Sequence, residues 1–202
     1  MGNWYTNICV KGAAQADVVA TLDELGRRAY VTPELGGWII VYDQESDKFD
    51  LNELESLALT LSARLSCLAL ASFNADDDVL WLGLYDHGTL ATRYASEKKH
   101  FEDAGEFPHI PEVADVLCRI FEVPDKNQQV RKILGRPHGI LGLLSTFFKL
   151  RIAYVVEVLR HSDLAEALGI PMASVGLGYE YVNRGEIPEG LIRGNLRKTL
   201  SG

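Results

Sequence analysis

The stretch that most constrains this chain is Leu68–Ala95, LALASFNADDDVLWLGLYDHGTLATRYA. Three apolar or alternating runs, Leu68–Phe73, Val79–Tyr85 and Thr89–Ala95, are separated by Asn74-Ala75-Asp76-Asp77-Asp78 and by Asp86-His87-Gly88. Asn, Asp and Gly tolerate the backbone of tight turns, so the pattern predicts a three-stranded antiparallel meander. A strand exposed on one side alternates apolar and polar residues, but the middle run, VLWLGLY, is apolar at successive positions. Its two faces must both be covered. Whatever the chain folds into has to supply a layer on each side of this strand.

Upstream, Tyr5–Val10 reads as a strand closed by Lys11-Gly12. From Ala13 the apolar positions Val18, Leu22 and Leu25 fall on one helix face, with Gly26 as a stop and Arg27 and Arg28 suited to the negative end of the dipole. Ala29–Thr32 and Trp38–Tyr42, joined by Pro33-Glu34-Leu35-Gly36-Gly37, read as a hairpin. A second helix begins at Asp50, which can accept from the first-turn N–H groups while Glu53 reaches back, a capping box, with Phe49 and Leu54 placed as a hydrophobic staple. Leu54, Ala58, Leu61 and Leu65 line its inner face. Residues 1–96 thus follow the order of a ferredoxin-like split β-α-β antiparallel sheet with an extra edge strand, an α+β class in which both helices cover one face. The C-terminal half is the expected cover for the other.

Residues 97–111 are charged and rich in turn formers, as in a linker or surface loop. Residues 112–190 read as a mainly helical region packed on the sheet. A helix is predicted over Glu112–Phe121, with Pro111 at its first position and Val113, Val116, Leu117 and Ile120 inward, and another over Asn127–Leu134, ended by Gly135. Gly139–Arg160 fits one broken or two short helices, with a strand open at Ile152–Val158. Asp163 and Glu166 form a second capping box before Leu164–Leu168, which Gly169 and Pro171 stop. Residues 191–202 offer little to bury and read as a frayed tail.

The 202 residues carry a formal charge of −8, and the charge is lopsided. Residues 1–100 hold 8 Lys/Arg against 15 Asp/Glu, a net of −7, which repels phosphate backbones and makes nucleic acid an unfavourable partner. A basic protein is the favoured one. Cys9, Cys67 and Cys118 lie far apart without a CxxC pair, as for buried free thiols in a reducing compartment. MGNWYTNICVKG has neither the charged region nor the apolar run of a signal peptide. Ile140–Leu159 is broken by Lys149, Arg151 and Glu157, which a membrane-spanning helix would have to bury. The expected location is the cytoplasm, with no membrane association.

No constellation assembles a catalytic, metal or cofactor site, and none of these is expected. Asp76, Asp77 and Asp78 lack the spacing of a calcium loop and read as a solvated turn that lends charge to a docking surface. Trp4 and Trp38, if exposed on neighbouring strands, would be its aromatic anchors. His100, Glu102, Asp103, His109 and Glu112 gather around one loop, but no pair of histidines has the HxxxH spacing of a metal site. His161-Ser162-Asp163 holds the residue types of a hydrolase triad, but adjacent side chains diverge. Gly176-Leu177-Gly178 is half of a dinucleotide glycine loop, without its third glycine.

Leu164-Ala165-Glu166-Ala167-Leu168-Gly169-Ile170-Pro171, followed by Ser174-Val175, resembles the first helix and turn of bacterial helix-turn-helix regulators. The resemblance covers about a dozen residues and implies DNA binding. The segment that would be the recognition helix departs from that pattern, with Gly176, Gly178 and Glu180, and its alternation suits a strand equally well. Three functions are therefore expected in order: a non-catalytic acidic protein-binding module (adaptor, regulatory subunit or immunity-type inhibitor of a basic protein); a small-ligand sensor or unfamiliar enzyme with a pocket between sheet and C-terminal helices; and a helix-turn-helix regulator. The sequence leaves the oligomeric state open.

Overall fold

The structure, a computed structural model, describes residues 2–137, 154, 156–187, 191 and 193–199, with residues 102–104 described in backbone only. Seven strands form one antiparallel sheet in the order β6-β5-β4-β1-β3-β2-β7. They are β1 Tyr5–Lys11, β2 Ala29–Val31, β3 Trp38–Asp43, β4 Leu68–Ala75, β5 Val79–Asp86, β6 Thr89–Ala95 and β7 Arg197–Lys198. Helices α1 (Gln15–Glu24) and α2 (Leu51–Leu65) connect strands of the first half. Helices α3 (Ile110–Ile120), α4 (Asn127–Gly135), α5 (Glu157–Leu168) and α6 (Tyr179–Arg184) follow the meander. The class is α+β.

The meander forms as its turn residues require. Asp76 and Asp77 have φ of 53° and 60°, and His87 and Gly88 have 48° and 79°, the left-handed pairs of tight hairpin turns. On β5, Val79, Trp81 and Tyr85 join the core under α1 and α2, whereas Leu80, Leu82 and Leu84 join the core under α3 to α6. Helices cover both sides of the strand. Gly83 has a packing reason, because a Cβ there would lie 2.3 Å from the ring of Trp81 on the same face. Strand β3 divides likewise, with Ile39 and Val41 on the α1–α2 side and Trp38, Ile40 and Tyr42 on the other.

Tyrosine hydroxyls tie the second helical layer to the sheet. Tyr42 donates to the carbonyl of Ala173 at 2.7 Å, Tyr94 to that of Leu134 at 2.9 Å and Tyr30 to Asn183 Oδ1 at 2.9 Å. Each ring buries apolar area while its hydroxyl satisfies a polar group that the interface would otherwise leave unpaired. The buried Arg160 performs the same service within the helical layer. Its guanidinium donates to the carbonyls of Ile133, Leu134 and Arg136, closing the end of α4, and is balanced by Glu157 at 2.6 Å.

Several local expectations change. Asp50 caps α2 through the N–H groups of Asn52 and Glu53, but Glu53 does not complete the box; its carboxylate takes Arg27 instead, at 2.6 Å. Arg27 also grips the buried Asp43, at 3.1 and 2.5 Å, so it joins β3 and α2 rather than serving the dipole of α1. Helix α1 stops at Glu24 and leaves Leu25 exposed. Helix α3 starts at Ile110 and buries Val113, Ala114, Leu117 and Cys118. Asp163 lies inside α5, which begins at Glu157, and so caps nothing. The earlier part of Gly139–Arg160 lies outside the described residues, apart from Tyr154 and Val156. Gly176–Val182 is not a strand: α6 starts at Tyr179.

The sheet also gains more than one extra edge strand. β5 and β6 extend it past β4, and β7, from the segment read as a tail, pairs with β2 at the opposite edge. Thr199 anchors that end, its hydroxyl accepting from the Ala29 N–H at 2.7 Å and donating to the Arg27 carbonyl at 2.6 Å.

Two substitutions test this packing by denaturant unfolding. Trp81 is fully buried, and Trp81→Ala is expected to cost on the order of 3–5 kcal/mol; a loss below about 1 kcal/mol would remove β5 from the centre of the core. Asp50→Ala should cost about 1 kcal/mol through its cap. An unchanged midpoint would show that the cap contributes nothing.

Candidate functional site

Two polar constellations stand out, one inside the fold and one on its surface. The inner one lies on the face of β1 and β4 that meets α5. Tyr5 and Asn7 on β1 pair with Asn74 and Ser72 on β4, so alternation brings the four side chains to one face. Residue His161 of α5 stacks on the Tyr5 ring, with Nδ1 2.7 Å from the Tyr5 hydroxyl and Nε2 3.4 Å from Ser72 Oγ. Asn7 Nδ2 donates to the carbonyls of Ser174 and Leu177, at 2.7 and 3.0 Å. The result is a polar seam between sheet and helices.

A serine, an imidazole and a tyrosine in a row invite a nucleophilic reading, but all three are buried. The Ser72–His161 approach is also long for a working proton relay. Burial pulls the His161 pKa down to about 4 and pushes the tyrosine hydroxyl and the nearby Cys9 thiol up, the latter to about 12. Each group is held in its neutral, unreactive form. Asp163, the third member of the triad read in the sequence, lies elsewhere, accepting from the Tyr154 hydroxyl at 2.7 Å.

The surface constellation surrounds the β4–β5 turn. Asp76 Oδ1 accepts from the Gly2 N–H at 2.8 Å and from the Trp4 indole N–H at 3.1 Å. Asp77 spends one oxygen on the Asn3 N–H, at 2.8 Å, and the other on Asn74 Nδ2, at 3.2 Å; its carbonyl takes the Glu157 N–H at the start of α5. The acidic turn is therefore a clasp that joins the N-terminal segment, the sheet and α5. Trp4 meets Phe49 edge to face at 4.7 Å, and Phe49 in turn meets the buried Phe73 at 6.0 Å. Trp4 and Phe49 remain 40% and 38% exposed, beside the exposed carboxylates of Asp76 and Asp50.

The proposed docking residues thus separate. Trp4, Asp76 and Asp78 are at the surface and Asp77 is half-buried. Trp38 is not an anchor: it is 2% exposed, stacked at 5.4 Å on Phe121 beneath the C-terminal helices, because its position in β3 shares the face of Ile40 and Tyr42. Phe49 takes its place as the second exposed ring. The turn that separates Lys48 from α2 puts Phe49 at a φ of 65°, and the ring reaches Trp4. Nothing in the residue pattern distinguished this from a staple.

The remaining candidates resolve as scaffold. Asp47 is buried and accepts from the Thr6 N–H and hydroxyl and from the Glu180 N–H, so it fastens the start of α6 to β1. Burial raises its pKa against the effect of those donors. The start of α6, the segment compared above with a recognition helix, is held against the body of the protein, and Tyr179 and Val182 are buried there. His109 gives its backbone N–H to Glu112 at 3.2 Å. The side chains of Glu102 and Asp103 and all of His138 lie outside the described residues. Among the described residues, no three His, Cys, Asp or Glu side chains are grouped to hold a metal ion, and no helix is long and apolar enough to cross a membrane. Cys9, Cys67 and Cys118 are free and buried.

The seam carries a pH consequence. Free histidine titrates near 6.5 and folded His161 near 4, so between those values the unfolded chain binds a proton that the folded chain does not. The His161 contribution to stability is then complete above about pH 6.5 and falls away as pH drops towards 4, by about 3 kcal/mol in all. His161→Gln is expected to flatten the pH dependence of unfolding free energy between about pH 7 and about pH 4 by that amount. The same slope in wild type and variant would place the acid sensitivity elsewhere.

No protein-family model, curated protein or solved structure matches the chain, so its function has to be read from its own geometry.

Proposed function

We propose that the protein is a non-catalytic acidic module, working as an adaptor, regulatory subunit or inhibitor, whose partner is a basic protein. The observation that carries this reading is the pair of exposed rings, Trp4 and Phe49, with the exposed Asp76 carboxylate hydrogen-bonded to the Trp4 indole and the exposed residue Asp50 next to Phe49 in the chain. Scattered exposed apolar residues are ordinary, but two touching aromatic rings with acidic neighbours suit an arginine or lysine side chain. A cation lying on a ring face and close to a carboxylate gains from both. The clasp that immobilises Asp76 and the Trp4 indole also reduces the entropy lost on binding. The excess of acid in the first hundred residues would accelerate the encounter and make it salt-dependent.

The scaffold fits this role. The sub-order β4-β1-β3-β2, with α1 and α2 on one face, is that of a ferredoxin-like split β-α-β unit, and we read residues 1–96 as one. Three free cysteines favour a cytoplasmic setting. At the seam Tyr5, His161 and Asn7 Nδ2 fasten sheet to helices, while Asn7 Oδ1 and Asn74 Oδ1 have no partner among the described residues. That distribution supports a binding protein over an enzyme.

The test is quantitative capture from native cell extract with wild-type protein and with Trp4→Ala, at low and physiological salt. Basic proteins retained by the wild type should be weakened by roughly tenfold or more in the variant and should bind less well as salt rises. Capture that ignores both the substitution and the salt would overturn the reading.

A further inference from the structure

A second surface feature lies apart from the rings of Trp4 and Phe49. At the outer edge of the sheet a cleft of about 450 Å³ opens between the end of β6, the segment leading into α3, and the end of α4. Its apolar lining comes from Tyr94, Phe107, Ile110, Pro111 and Leu134, and Lys98 and His109 are also at its wall. We infer that this cleft binds a small molecule with an apolar body and a carboxylate head, the head lying at Lys98. The volume is within the range of small-molecule sites.

The polar atoms of the lining decide which part of a ligand goes where. Deep in the cleft they are already paired. The Tyr94 hydroxyl donates to the Leu134 carbonyl at 2.9 Å, that carbonyl also accepts from Arg160 at 3.1 Å, and Ser96 Oγ accepts from the Leu80 N–H at 3.0 Å. A ligand body placed there meets rings and aliphatic carbon and is asked for no hydrogen bond, so burying a polar body would cost more than burying an apolar one. At the wall the situation reverses. The Lys98 ammonium has only long contacts, 3.4 Å each, to the carbonyls of Phe107 and Pro108, and stands 5.9 Å from the Phe107 ring. Among the described residues no carboxylate pairs with it, although the neighbouring Lys99 is paired with Glu97 at 3.5 Å.

The nearby charges are of both signs. Arg93 lies 5.1 Å from the Phe107 ring while donating to the Glu106 carbonyl, so two cations flank one aromatic wall in a protein of net charge −8. Two carboxylates also lie nearby: Glu112, which accepts from the His109 N–H at 3.2 Å, and Glu97, paired with Lys99 and within electrostatic reach of Tyr94. An anionic head at this wall would be met by the Lys98 ammonium. A carboxylate fits better than a phosphate, because one ammonium and one imidazole offer few donors, and phosphate sites use guanidinium forks or clustered backbone N–H groups.

The experiment titrates 2-naphthoate and its neutral analogue 2-naphthamide into the full chain, with backbone amide shifts and calorimetry as readouts. Naphthoate should saturate with shifts centred on residues 94–98 and 107–111, and should bind about fivefold more tightly than naphthamide. Lys98→Gln, at an exposed position that leaves the fold intact, should reduce naphthoate affinity by about the same factor and leave naphthamide unchanged. Trp4→Ala should alter neither. Failure to saturate at millimolar concentration, shifts centred elsewhere, equal affinity for acid and amide, or an unaltered Lys98→Gln variant would each overturn the assignment.

Discussion

The architecture depends on one constraint: a central strand that is apolar on both faces has to be covered twice. Helices α1 and α2 supply one cover through local β-α-β connections, so the residues they bury lie close in sequence to the strands beneath. The other cover comes from residues up to a hundred positions further along the chain, and the cost of ordering them must be met by what they bury. Apolar packing alone would leave helix ends and loop carbonyls unsatisfied in that layer. The tyrosine hydroxyls of the sheet and the guanidinium of Arg160 satisfy them. The second layer is thus specified as well as buried, since each tether accepts one partner in one register.

Carboxylates perform the matching task at the margins. Asp47 holds α6 against β1, Asp43 receives Arg27, and Asp77 ties the N-terminal segment and, through its backbone, the start of α5 to the β4–β5 turn. Part of the acidity that marks the first half is therefore structural. Asp76 and Asp50 remain exposed although each also accepts internal hydrogen bonds, and Asp76 adjoins the exposed aromatic pair. Exposed charge steers a partner even where its carboxylate also serves an internal donor, which makes a docking role physically reasonable. The cleft beside Lys98 offers a different chemistry, apolar within and with one ammonium at its wall.

The meander, the first two helices and the Asp50 cap were legible in the residues because each depends on neighbours within a few positions. Turn formers set the hairpins, and periodicity set the helix faces. The placement of Trp38 was not legible. Whether its face of β3 meets water or a second layer depends on where residues beyond 110 pack, and nothing near Trp38 records that. The pairing of Phe49 with Trp4 was not legible for the same reason, since a ring at the start of a helix carries no local mark of an exposed partner. The Arg27–Glu53 pair shows the competition directly: a carboxylate able to close a local box was taken by a cation from another element.

The class of fold, the strand-rich first half and the need for a second layer follow from the residue pattern, because period, turn chemistry and capping act over short range. Only the tertiary structure decided that β7 joins the far edge, that His161 is sealed between Tyr5 and Ser72, and that Trp4 pairs with Phe49 at the surface. Those outcomes turn on contacts between residues far apart in the chain. Their energies come from burial and pairing that local pattern does not encode.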